Sequence, residues 1–300
     1  MDREATQDEW MTTNSVVSGC VACGGRLDVR DHPLRTGLPI TGGVIARCTG
    51  CGTHQVIPRP TLARLDDLYD ASYYQGFIEG PGVAGGNLEV APTLRTRLNV
   101  LEKRLGKGRL LDVGCGLGHF VKYASDQGWD AAGLETSTWA VQEGRRRYGI
   151  VIHACQLDEA PIEPGSLDVV HANHVVEHML EPVAAMEAAR RLLRPGGLLV
   201  IEVPQELLYP LTDRVFRTLH PELYQAPRPS KTHHLAFFTP RGLAIAARRA
   251  GFNVERAETV RHIHSTQSRF PAGVFVKNVL YRAEVALQTA PDIELWARTP

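Results

Sequence analysis

The stretch LLDVGCGLGHF, residues 110–120, limits what this chain can fold into more than any other. Leu110, Leu111 and Val113 have the apolar character of a buried strand. Gly114, Gly116 and Gly118 alternate directly after it, where a helical pattern begins. Glycines in such a loop reach backbone conformations closed to other residues and leave room for a bulky ligand against the main chain. A buried strand that enters a helix this way opens an α/β unit with parallel strands. The dinucleotide fingerprint is G-x-G-x-x-G, whereas the spacing here is G-x-G-x-G. The run alone therefore leaves its ligand open.

The remainder of the chain supplies the context. From residue 91 onward helices and strands alternate. A helix carrying Val100, Leu101 and Leu105 precedes the strand, and another spans Leu117 to Gln127 and stops at Gly128. DAAGLE is the second strand, followed by a helix over Thr138–Tyr148 with Gly149 as its terminator. IVIHA and LDVVHAN are the third and fourth strands. EPVAAMEAARRLL is a helix ended by RPGG, and LLVIEVP is the fifth strand. In TPRGLAIAARRAGF, Thr239 takes the N-cap, Pro240 the first helical position and Gly251 the stop. NVERAETV and IELWART complete the sheet as a hairpin, with a helical insert expected at 270–288. The fold expected is α/β, a Rossmann-like seven-stranded domain at 91–300, in which segment 205–235, rich in proline and aromatic residues, covers an acceptor. Residues 61–90, with the glycine-rich EGPGVAGGN, form a linker, and residues 1–19 a flexible N-terminus.

Cys20, Cys23, Cys48 and Cys51 stand in two Cys-x-x-Cys knuckles, each followed by glycine, Gly24 and Gly52. Two thiolates from each tight turn satisfy a tetrahedral zinc with no open position, so residues 20–60 are expected to be a small zinc ribbon with a structural role for the metal. His32 and His54 fit that spacing less well. Cys115 and Cys155 suit packing rather than metal binding.

Bulk properties exclude several classes. Thirty-three basic residues balance thirty-three acidic ones, so no overall field draws the chain to nucleic acid or an anionic membrane. The N-terminal residues have no apolar run of the signal-peptide kind, and no later stretch suits a membrane span. The compartment expected is the cytoplasm, where paired cysteines bind metal rather than form disulfides.

Taken in order, the glycine run, GLETS, ACQLDEAP, SLDVVHANHVVEHMLEP and RLLRPGGLLVIEVP resemble the successive motifs of the class I S-adenosylmethionine-dependent methyltransferases, over roughly residues 94–300. That resemblance implies S-adenosylmethionine as cofactor. It implies Gly114, Cys115, Gly116 and Gly118 beneath the nucleoside, with Asp112 as site architecture. Glu135 becomes the ribose acid beside Thr136, Gln156 and Leu157 touch adenine, and Asn173 lies at the pocket mouth. Tyr69, Tyr73 and Tyr74 resemble a segment that lids the cofactor in zinc-bearing relatives, Tyr74 being the contact residue.

Methyl transfer from a sulfonium depends largely on alignment, and a base is required only for a hydroxyl or a carbon acid. His174, Glu177 and His178 follow the fourth strand, and the Glu-His pair resembles one linked to proton abstraction in sugar C-methyltransferases. His234, in KTHHLAFFTP, resembles a histidine near the acceptor. The loop after the fourth strand has neither Asn/Asp-Pro-Pro-Tyr nor Pro-Cys, which disfavours adenine-amine and cytosine-C5 chemistry. It also lacks the aspartates of catechol-type enzymes, so no catalytic metal is expected. The ribbon is only mildly basic, without basic-aromatic interleaving. A small-molecule acceptor, a sugar, nucleotide-sugar or secondary metabolite, is therefore favoured over RNA, with a non-catalytic cofactor-binding protein as the third reading. Oligomeric state stays open.

Overall fold

The computed structural model describes residues 19–29, 44–61, 90–205, 234–260 and 290–300. The N-terminal segment before residue 19, the lid tyrosines including Tyr74, His32, most of the acceptor-covering segment and the helical insert at 270–288 lie outside the described residues.

Short strands β1 (Leu27–Asp28), β2 (Val44–Cys48) and β3 (His54–Ile57) pair antiparallel in sequence order. After them comes α1 (Pro92–Leu105), which presents Arg97, Leu98 and Leu101 to the interior. Strand β4 (Arg109–Val113) leads through the glycine run into α2 (His119–Asp126). The helix begins two residues later than its apolar pattern suggests because Gly118 sits at φ 78°, in the left-handed region. Next are β5 (Asp130–Leu134), α3 (Thr138–Tyr148), β6 (Ile152–His153), β7 (Leu167–Asn173) and α4 (Pro182–Leu192). Strand β8 (Leu193–Pro204) begins as soon as α4 ends, earlier than RPGG suggests, and its pairing with β7 is irregular between Leu167 and Val169. After it come β9 (Ala236–Phe237), α5 (Pro240–Arg249), β10 (Asn253–Val260) and β11 (Asp292–Arg298). Thr239 caps α5 as expected, its side chain accepting from the Gly242 amide.

Seven strands form one sheet in the order β10-β11-β8-β7-β4-β5-β6. Pairing among β8, β7, β4, β5 and β6 is parallel, and β11 runs antiparallel between β8 and β10. Both faces are covered, which is why β7 and β8 are almost continuously buried. On one face Leu98, Leu101, Leu110, Phe120, Trp129, Val169 and Trp296 pack together. On the other, Leu111, Val170, Ile201 and Leu243 join a cluster that extends into Cys20, Val21, Ala22, Cys48 and Cys51.

That shared core has a backbone counterpart. β9 adds to β3, pairing His54 with Phe237 and Gln55 with Ala236, so the ribbon's sheet takes its fourth strand from the far side of the chain. Arg249 of α5 donates to the Ala22 carbonyl at 3.0 Å, and Thr239 Oγ1 donates to the Cys51 carbonyl at 2.8 Å. The ribbon is thereby built onto the α/β domain.

Candidate active site

The sheet order reverses between β4 and β7, and the carboxyl ends of these strands and of β5 outline the crevice where α/β sheets bind ligands. Gly114, Gly116 and Gly118 all have positive φ, at 66°, 54° and 78°. A Cβ on Gly114 would sit 2.5 Å from Val175 Cγ2, and one on Gly118 would sit 2.4 Å from Ile150 Cδ1. The loop must therefore be glycine at both positions for its conformation and for its close packing. Gly114 and Cys115 donate to the Leu134 carbonyl, at 2.8 and 3.1 Å. Burial, then Asp112 and Glu135, push the Cys115 thiol well above its usual range, so it is a packing group rather than a nucleophile.

Glu135 follows β5 and is buried. One of its oxygens accepts from the Gly116 amide at 3.0 Å and the other from the Ser137 amide at 2.9 Å. Thr136 Oγ1 stands 3.5 Å from the same carboxylate. The carboxylate thus ties the glycine loop to the end of β5, a link that sequence patterns do not reveal. Gln156 and buried Leu157 begin a short 3-10 turn after β6.

Beyond β7 the chain brings together the second group of residues expected from the sequence. His174 adopts φ 53°, a left-handed conformation uncommon for a residue with a side chain, and its amide donates to the Glu202 carbonyl at 2.9 Å. Glu177 is 1% exposed, and neither of its oxygens has a hydrogen-bond partner among the described residues. Instead its Oε1 faces three imidazoles: His174 Nδ1 at 3.7 Å, His178 Nε2 at 3.7 Å and His234 Nε2 at 3.8 Å. The His178 and His234 rings meet edge to face, 4.7 Å between centroids. Burial alone would raise the Glu177 carboxyl, but the three imidazoles outweigh it and hold the group below its ordinary value. For His174, whose side chain is 42% exposed, partial desolvation pulls downward, yet Glu177 and Glu202, with Asp292, lift the imidazole to about 10. Val175 places this cluster against the glycine loop, since its side chain fills the space beside Gly114.

The ribbon reaches the same place. The Leu235 amide donates to the Glu177 carbonyl at 2.8 Å, while the Leu235 carbonyl accepts from Val56 of β3 at 3.0 Å. His234 is therefore set by a backbone ladder that starts in the cysteine module.

Beneath the cluster lies a buried charge network that the motifs did not disclose. Arg97 of α1 donates to His171 Nε2 at 3.0 Å, Asn173 Oδ1 at 3.1 Å and Glu294 Oε1 at 2.9 Å, and pairs closely with Glu202. Because His171 Nε2 accepts from Arg97, its Nδ1 carries the proton and donates to Asp112 Oδ1 at 2.6 Å. Asp112 is thus part of the scaffold under the glycine loop, and the Asn173 side chain turns toward Arg97. The available sequence signal was an ionisable residue inside an apolar strand: His171, Glu202 and Glu294.

Cys20, Cys23, Cys48 and Cys51 are free thiols whose sulfurs all lie within 4.8 Å of one another. Their closest approaches are Cys20 to Cys51 at 3.6 Å and Cys23 to Cys48 at 3.4 Å. The amides of Gly25 and Gly50 point at Cys23 and Cys48 sulfurs, at 3.3 and 3.4 Å. Gly24 and Gly52 take φ 74° and 80°, as the tight knuckle turns require.

Comparison with known proteins agrees with this geometry. A family model described as a methyltransferase domain matches residues 89–257, more than half of the chain. The ubiquinone biosynthesis O-methyltransferase of Methylococcus capsulatus is 27% identical over 180 residues, covering 58% of this chain and 75% of that one. An uncharacterized 37.1 kDa protein in transposon TN4556 of Streptomyces fradiae is 35% identical over 115 residues. That match covers 36% of this chain and 33% of the relative, so the chain spans about a third of its length. Among solved structures, the 4+2 cyclase SpnF superposes with TM-score 0.53 at 20% identity, over 81% of this chain and 98% of that one, a likeness of fold. No helix among the described residues is long and apolar enough to cross a membrane. With the family match spanning more than half its length and the expected glycine crevice at the switch point of the sheet, the chain belongs to the methyltransferase-domain family, the S-adenosylmethionine-dependent methyltransferases.

Proposed function

We propose that this protein transfers a methyl group from S-adenosylmethionine to a small-molecule acceptor, a sugar, nucleotide-sugar or secondary metabolite, at oxygen or carbon. The observation that carries the reading is the buried Glu177 carboxylate amid three imidazoles, packed through Val175 against the glycine crevice.

The residues present suit the cofactor. Gly114, Gly116 and Gly118 offer main chain without side chains, and the Glu135 carboxylate, fixed in place by the Gly116 and Ser137 amides, is an acceptor of the kind a ribose diol needs. Bound there, S-adenosylmethionine supplies an electrophilic methyl on a sulfonium. Glu177 with His178 and His234 stabilises positive charge where an acceptor hydroxyl or carbon acid must give up its proton. His174, held between Glu177 and Glu202, fixes the orientation of that carboxylate.

The four-cysteine cluster suits a structural zinc, since it offers four sulfurs with amides directed at two of them. The ribbon then serves to hold β9, and with it His234, rather than to grip nucleic acid. Incubating the protein with methyl-labelled cofactor and separate panels of nucleotide-sugars, hydroxylated metabolites and structured RNA tests the reading. Label in a small-molecule panel supports it. Label only in RNA replaces it with the nucleic-acid alternative.

A further inference from the structure

We propose that Glu177, His178 and His234 form a second metal site, distinct from the cysteine cluster, which takes a divalent transition cation such as Zn2+, Fe2+ or Mn2+. The sequence reading expects no catalytic metal; the buried oxygens of Glu177 are the observation that revises it.

Three facts converge on this site. First, Glu177 is a fully buried carboxylate whose two oxygens find no hydrogen-bond donor among the described residues. His174, 3.7 Å away, offers charge but no hydrogen bond, and a buried carboxylate with no donor bonded to either oxygen is costly until a ligand completes it. Second, the separations are too long for hydrogen bonds and close to those of ligands sharing an ion. His178 Nε2 and His234 Nε2 lie 3.7 and 3.8 Å from Glu177 Oε1, and the ligand atoms of all three residues fall within 4.8 Å. Ligands about 2.0–2.1 Å from a tetrahedral ion stand roughly 3.4 Å apart, so the two distances to Glu177 exceed that separation by only a few tenths of an ångström. Third, the set is rigidly mounted. Glu177 and His178 share one 3-10 turn, and His234 is pinned to it by the hydrogen bond from the Leu235 amide to the Glu177 carbonyl.

Two imidazoles and one carboxylate select borderline transition ions over Mg2+ or Ca2+, which prefer all-oxygen shells. His174 is not a fourth ligand: it groups instead with Glu202 and Asp292, and from there steadies Glu177. Three protein ligands leave coordination positions open. An acceptor bearing a hydroxyl or enolate oxygen fits them, the cation taking over from the imidazoles in offsetting the oxygen's charge once its proton has passed to solvent, which narrows the substrate class to oxygen donors that a cation can hold. That consequence rests on the methyltransferase reading; the metal site itself does not.

The test uses the full chain loaded with zinc, dialysed against micromolar Co2+, with metal content, visible absorption and S-adenosylhomocysteine binding measured on each sample. Expected are two metals per chain, the second giving weak d–d bands without thiolate charge transfer. His178→Ala and His234→Ala should each retain the ribbon metal and lose at least tenfold in affinity for the second, whereas Cys48→Ser/Cys51→Ser loses the ribbon metal and, by freeing the β3–β9 ladder that sets His234, weakens the second as well. Wild-type protein that holds a single metal, or a second metal indifferent to both histidine variants, overturns the proposal. If the nucleoside still binds in that case, only the metal site has failed. A second metal without nucleoside binding instead removes the methyltransferase reading and leaves the site standing.

Discussion

Replacing Arg97 with methionine removes the cation that joins α1 to β7, β8 and β11 while keeping the bulk of its stem. Glu294 retains Arg256 Nη2 at 2.6 Å, but Glu202 loses its close guanidinium partner, and His171 and Asn173 lose a donor. Glu202 and His171 are both buried, so the carboxylate loses its closest countercharge and keeps His174 Nε2 at 3.4 Å. Breaking a buried pair in this way costs about 3–5 kcal/mol, which lowers Tm by roughly 10 °C in a domain of this size. Denaturant and thermal unfolding of Arg97→Met, Glu202→Gln and the double variant measure it. Since the neutral amide introduced by Glu202→Gln needs no countercharge, the double variant should be more stable than Arg97→Met alone, with a coupling of about 1–3 kcal/mol. The deficit of the single variant should also shrink at low pH, because protonating the Glu202 carboxylate in the folded state removes the charge that Arg97 had balanced. A single-variant loss below about 1 kcal/mol, or additive effects in the double variant, would refute the network as a load on the fold.

Other outcomes follow from separate parts of the structure. Gly118→Ala should cost about 2 kcal/mol and weaken nucleoside binding, because alanine meets both a left-handed φ of 78° and Ile150 at 2.4 Å; calorimetric unfolding checks it. Cys48→Ser/Cys51→Ser should release one metal per chain and abolish turnover while nucleoside binding persists, since the ribbon sheet holds Leu235 and its neighbour His234; metal analysis beside titration separates the two effects. Glu143 is held from 4.5 down to about 2 by hydrogen bonds from Arg146 and Arg147. Its folded pKa is the lower one, so its contribution is present above the ordinary carboxylate value and fades as pH falls toward 2. Glu143→Gln should flatten that part of the acid-unfolding curve, and an unchanged slope would remove the assignment.

Local chemistry made much of this legible before any coordinates. Thr239, Pro240 and Gly251 bound α5, the two knuckles gather four sulfurs, and the alternating glycines mark the loop after β4, since each effect acts within a few residues. The Arg97 network was hidden because Arg97, His171, Glu202 and Glu294 become neighbours only through the sheet order β11-β8-β7 and the docking of α1. Strand β9 is two residues long, too short for any periodicity, and its pairing with β3 is a tertiary event. For the same reason the sequence suggested His174 and the Glu177–His178 pair in one segment and His234 in another. It gave no sign that one carboxylate oxygen would face three rings.

Titration of zinc-loaded protein with S-adenosylhomocysteine, in wild type and in Glu135→Ala, tests the central claim most directly. One binding site per chain in the wild type, weakened at least tenfold in the variant, is the result this account predicts. Absence of binding to the wild type, or equal affinity in the two, would contradict the cofactor crevice at the ends of β4 and β5.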